Sequence, residues 1–129
     1  IHNRDAHHDI FDILVEEKSS ELKGVLHSFD GDINFLDSIL AYNFYVSLTG
    51  VVTFKNANYN EIIKHIPLEN LLLETDSPFL APTPFRGKRN EPSYITYTAE
   101  KIAKVKKIPV EELAEITSNN ARELFNFTV

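Results

Sequence analysis

The sequence predicts an α/β fold, the C-terminal half of a (β/α)8 TIM barrel, and three observations carry that expectation. Leu71-Leu72-Leu73 is an unbroken apolar triplet, the pattern of a parallel strand covered on both faces. Short β-rich runs alternate with helical apolar stripes along the chain, which means successive βα units around a parallel sheet. Strands near Ile1, Val25, Tyr45 and Leu71 make four such units, where a complete barrel has eight and about 250 residues. The 129 residues read as one domain.

Taken in order, Ile1-His2-Asn3-Arg4-Asp5-Ala6 opens without a cap, as if a strand had been cut. Ile10, Ile13 and Leu14 mark a helix over Ile10 to Glu17. Gly24-Val25-Leu26-His27-Ser28-Phe29 is a short apolar run ended by the Asp30-Gly31 turn. A helical stripe follows at Ile33, Leu36, Ile39 and Leu40. Tyr45 to Thr49 has strand character, and Val51 to Asn58 reads as a loop with Lys55 and Asn56. Tyr59, Ile62, Ile63 and Ile66 form the next helical face, ended by Pro67.

After the Leu71 strand, Phe79 to Glu91 is a long irregular stretch with a basic centre at Arg86-Gly87-Lys88-Arg89. Loops of this length in a compact domain are functional or disordered. Pro92 suits the first position of a helix carrying Ile95, Ile102 and Val105. Pro109 opens another with Leu113 and Ile116, and Ser118 caps a last short helix through Phe125.

Composition narrows the chemistry. With no cysteine, a bound metal must use His, Asp or Glu. The net charge of −6 argues against coating nucleic acid by bulk electrostatics, though not against an enzyme whose positive charge is local. No apolar run is long enough to span a bilayer and no signal-peptide pattern opens the chain, so a cytoplasmic location with no membrane partner is expected.

Three strand-like runs end in a residue able to bind a metal: His2, His27 and Asp76. A single such His is more often a turn or core residue, and Asp76 before Ser77-Pro78 suits a turn cap. βα architecture, however, puts all three ends on one rim. Two imidazoles and a carboxylate match a hydrolytic divalent-metal site, where a bound water's pKa falls from about 15.7 towards 7. Asp76 can both ligate and accept the water's proton. Arg4, Arg86, Lys88 and Arg89 can meet a phosphate, Arg with a two-pronged fork, or form a solvated basic surface. His7, His8 and His65 read as surface residues, and Lys101, Lys104, Lys106 and Lys107 as the wet face of a helix.

Ile1-His2-Asn3-Arg4-Asp5-Ala6, Gly24 to Phe29, Thr53-Phe54-Lys55-Asn56-Ala57, Leu72-Leu73-Glu74-Thr75-Asp76-Ser77-Pro78, Arg86-Gly87-Lys88-Arg89-Asn90-Glu91-Pro92 and Ser118 to Phe125 resemble successive motifs of the TatD family of metal-dependent hydrolases. The resemblance implies an amidohydrolase-type barrel whose fifth, sixth and eighth strands supply His2, His27 and Asp76 as ligands of one or two divalent ions, zinc, magnesium or manganese. It implies a deoxyribonuclease acting on DNA, single-stranded or at 3′ ends, with Asp76 as base. Arg4, Arg86, Arg89 and Glu74 then lie on the substrate side, Glu74 pairing with Arg86 or Arg89. Alternatives are ester hydrolysis, as of D-aminoacyl-tRNA, or a non-catalytic fragment or interaction module. The family's His-x-His and bridging Glu are not in this sequence, which makes the N-terminal half of the barrel an expected partner.

Overall fold

The structure, a computed structural model, describes residues 1–19 and 21–127. Its sheet holds β1 (Val25–Leu26), β2 (Tyr45–Leu48) and β3 (Leu71–Leu73), all parallel and adjacent in chain order. In register, Val46 faces Leu26 on one side and Leu71 on the other. The expected strand near Ile1 contracts to a single parallel bridge between His2 and His27, anchored by the His27 N–H donating to Ile1 O at 3.1 Å. Each strand thus lies beside its predecessor, with no reversal of order. That is the winding of a barrel sector rather than of a doubly wound sheet.

Helices α1 (His7–Glu16), α2 (Ile33–Leu40), α3 (Asn60–His65), α4 (Ile95–Lys106) and α5 (Val110–Phe125) join or follow the strands. Asp32 starts α2 by accepting the Phe35 N–H at 2.8 Å, satisfying a donor that the first helical turn leaves open. One face of α2 then buries Leu36 and Ile39, and α3 buries Ile63. These meet Leu26, Val46, Leu48 and Leu71 in one core with Ile102 and Leu113. Each such side chain contributes about 1.5–3 kcal/mol on burial, so the core fixes the relative positions of the strand ends.

The helices depart from the sequence expectations at three points. α5 is one helix, not two, because its buried positions Leu113, Thr117 and Asn120 continue one face past Ser118 without a Gly or Pro break. Pro92 opens a 3-10 turn, Pro92–Tyr94, and α4 begins only at Ile95. α4 ends at Lys107, left-handed at φ 60°, with the Ile108 N–H returning to Ala103 O at 3.2 Å in a six-to-one closure. Lys106 is not on the wet face. Its ammonium donates to Lys64 O at 3.1 Å and to Ile66 O, holding the C-terminal end of α3, and burial lowers its pKa against an opposing pull from Glu69. Among the described residues no helix is long and apolar enough to cross a membrane.

Candidate active site at the strand ends

Pairing of Ile1 and His2 with His27 sets the two imidazoles side by side. His2 Nδ1 lies 2.8 Å from His27 Nε2, with ring centroids 5.0 Å apart. One nitrogen carries the shared proton and the other accepts it. The far side of the His27 ring faces Glu74, whose Oε2 is 3.7 Å from His27 Nδ1. That is an electrostatic contact rather than a hydrogen bond. It still favours a proton on Nδ1, leaving the Nε2 lone pair for the His2 side. Glu74 Oε1 also accepts the Ser28 N–H, so one carboxylate ties the end of β3 to the end of β1 across β2. His27 and Glu74 are half-buried, which strengthens the contact relative to bulk water.

Asp76 stands apart. It lies two residues beyond Glu74, itself exposed with φ 56°, at the start of a turn closed by the Phe79 N–H donating to Asp76 O at 2.9 Å. Among the described residues no three His, Cys, Asp or Glu side chains are arranged to hold one ion between them. The expected triple therefore comes together in part. His2 and His27 meet, Glu74 reaches His27, and Asp76 sits on the same rim in its own turn.

The basic residues lie as follows. Arg4 and Arg89 are exposed, and Arg86 lies over the Phe54 ring, 3.7 Å from its centroid. Among the described residues Glu74 does not pair with Arg86 or Arg89; its carboxylate faces His27 and the Ser28 amide instead.

Sequence reasoning missed three residues here. Asn90 is buried and fastens the turn, its amide donating to Thr75 O at 2.7 Å and Phe79 O at 2.6 Å. Its place in the basic motif was the available signal. Ser28, left-handed at φ 49°, aims its N–H at Glu74. His7 is not a free surface residue: its Nε2 is buried without a hydrogen bond, 3.7 Å from Asp30, with its ring edge-on to Phe35. Asp5, Ser28, Asp76 and Leu80, all beyond strand ends, are left-handed without being glycine.

Once the proton between them is displaced, the converging nitrogens of His2 and His27 offer two neutral imidazole donors of the kind zinc or manganese takes. A family model described as TatD related DNase matches residues 1–126. The chain belongs to the TatD family. It is 52% identical over 126 residues to YabD of Bacillus subtilis (strain 168), named an uncharacterized metal-dependent hydrolase, covering 97% of this chain and 49% of YabD. To YcfH of Escherichia coli (strain K12), named in the same words, it is 45% identical over 127 residues, covering 98% and 48%. The crystal structure of YJJV, a TatD homolog from Escherichia coli k12, superposes with a TM-score of 0.89 at 26% identity, covering 98% of this chain and 49% of that one. The TatD chain described here spans about half the length of these relatives. Its parallel sheet is accordingly part of a TIM-type barrel, as expected.

Proposed function

We propose that the full-length protein is a cytoplasmic, metal-dependent deoxyribonuclease that cleaves phosphodiester bonds of single-stranded DNA or of 3′ ends. The observation that carries this is the convergence of His2 and His27 at 2.8 Å, backed by Glu74, in a chain of the TatD family. His2, His27 and Asp76 would hold one or two divalent ions, together with donors from the N-terminal half of the barrel. A divalent ion bound there supplies Lewis acidity and lowers the pKa of water from about 15.7 towards 7.

The chain's own residues do the rest. Glu74 orients His27 through Nδ1. Asp76, exposed on the rim, takes the proton of the attacking water. Arg4 and Arg89 offset charge on the phosphoryl oxygens, the guanidinium fork matching two of them, while Arg86 meets the substrate from its place over the Phe54 ring.

The test is turnover of single-stranded DNA by the full-length protein with zinc, magnesium or manganese, against turnover of a D-aminoacyl ester. DNA cleavage is expected, and Asp76→Asn should abolish it while far-UV circular dichroism stays unchanged. Turnover of the ester alone would replace this reading with a deacylase. Near-normal DNA cleavage by Asp76→Asn would move the base elsewhere, to Glu74 first.

A further inference from the structure

The segment after β2 and the basic loop after β3 run side by side, locked by three contacts in step. Gly50 packs so tightly on the loop that a Cβ there would overlap Leu80 O and come within 3.0 Å of Pro82 N. Next, the Thr83 N–H donates to Thr53 Oγ1 at 2.8 Å, and Thr83 Oγ1 donates to Thr53 O at 3.2 Å. Last, the Arg86 guanidinium stacks on Phe54 at 3.7 Å. The Ala57 N–H returns to Phe54 O at 3.1 Å, a turn that puts exposed Lys55 and Asn56 at its corner. The result is an open cleft of about 520 Å³ lined by Phe54, Lys55, Asn56, Ala57, Thr83 and Arg86.

This lining holds two cations and no carboxylate. Among the described residues neither Lys55 nor Arg86 makes an ion pair. Stacking on Phe54 holds the Arg86 plane in place while leaving its N–H edge open to an anion. Lys55 adds a point charge, and the Asn56 amide can bond a phosphate oxygen or a base edge. A stacked cation beside an aromatic ring, flanked by a second cation, is the chemistry that grips single-stranded nucleic acid. Both segments follow the C-terminal ends of β2 and β3, on the rim that carries His27 and Glu74.

We propose that this cleft is a second anion subsite, holding a backbone phosphate of single-stranded nucleic acid away from the bond being cut. The identity of the ligand rests on the nuclease reading above; the existence of the subsite can be tested apart from it.

Binding of a fluorescent oligothymidylate to the full-length protein, with chelator present so that nothing is cut, is followed by anisotropy across a salt series. Lys55→Ala and Arg86→Ala should each weaken Kd about 5–20-fold at low salt. Each should also flatten the slope of log K against log salt by about 0.7, the value of one phosphate contact on a single strand. Lys104→Ala, an exposed cation on α4, should change neither. Arg86→Lys should restore the slope but not the affinity. Turnover of bis(p-nitrophenyl) phosphate, a diester with no second phosphate, should be the same in wild type and in Lys55→Ala when metal is supplied. Unchanged slopes in both alanine variants, or an equal loss in Lys104→Ala, would overturn the subsite even if DNA is cleaved. Full recovery of affinity in Arg86→Lys would overturn the role given to the stacked guanidinium. DNA bound with the expected slopes yet never cut would sustain the subsite and overturn the nuclease reading instead.

Discussion

His27 has a partner on each ring nitrogen, and that decides what Glu74 is worth. Glu74→Gln keeps an acceptor for the Ser28 N–H but removes the charge beside His27 Nδ1. Partners that orient a metal-binding His are typically worth 10–100-fold in affinity or activity. We expect a loss in that range in the full-length protein, with little change in the urea midpoint; full activity would show that Glu74 does not set the orientation of His27. Tyr59 supports a second residue-scale prediction. Its hydroxyl donates to Phe29 O at 3.1 Å, and burial, then nearby Asp30, push the phenol above its ordinary value of about 10. A raised folded pKa means the fold holds the neutral form, so this contribution is intact below pH about 10. It is lost as pH rises through the folded value. Tyr59→Phe should cost about 1 kcal/mol at neutral pH and make the alkaline fall of stability shallower, as urea melts at several pH values will report. At this scale the sequence was legible for His2 and His27, since a strand end fixes where such a side chain points. It was less so for the acids, because which of them faces His27 depends on backbone geometry beyond β3 that no pattern announces.

Among the elements, α5 does more than pack. Asn120 reaches from it to β3, donating to Leu68 O at 2.7 Å and Leu71 O at 2.9 Å. Asn120→Ala leaves those carbonyls without their donor, which costs about 1–3 kcal/mol; a shift of the urea midpoint too small to measure would mean that water replaces the amide. Gly50→Ala tests the seating of the basic loop on the turn after β2. The added methyl meets loop backbone rather than a flexible side chain, and such overpacking costs about 1–3 kcal/mol. Faster proteolysis between Phe79 and Glu91 should accompany it, and unaltered cleavage would show that the loop is held by other contacts. Helix periodicity made most of these elements readable in advance. It failed at Ser118, where a residue that favours caps lies inside a helix whose buried stripe simply continues. The bonds of Asn90 and Asn120 were unreadable for another reason: their partners are backbone carbonyls distant in sequence.

For the molecule as a whole, order and number of βα units were legible from alternation alone, whereas strand lengths were not, because pairing partners set them. β2 is buried along its length, with both of its edges paired, to β1 and to β3. The margins are less complete. An apolar cleft of about 430 Å³ beside β3, lined in part by Leu72, Leu73, Ile95 and Val110, joins a strand edge open to pairing. Asn3 Nδ2, Ser47 Oγ and Ser77 Oγ are buried without partners. Residues 1–129 prepared by themselves should therefore dimerise or aggregate, and a cooperatively melting, monodisperse monomer of 14.7 kDa in sedimentation would refute this. The left-handed residues of the rim carry a different consequence. Asp5, Ser28, Asp76 and Leu80 each hold a conformation disfavoured by about 1–2 kcal/mol, against a net stability of about 5–15 kcal/mol for a typical domain. A lineage drifting towards robustness would find glycine at these four positions its easiest gain. Each such step would slacken the backbone that presents His27, Glu74 and Asp76, so selection for durability and selection for turnover pull this rim in opposite directions.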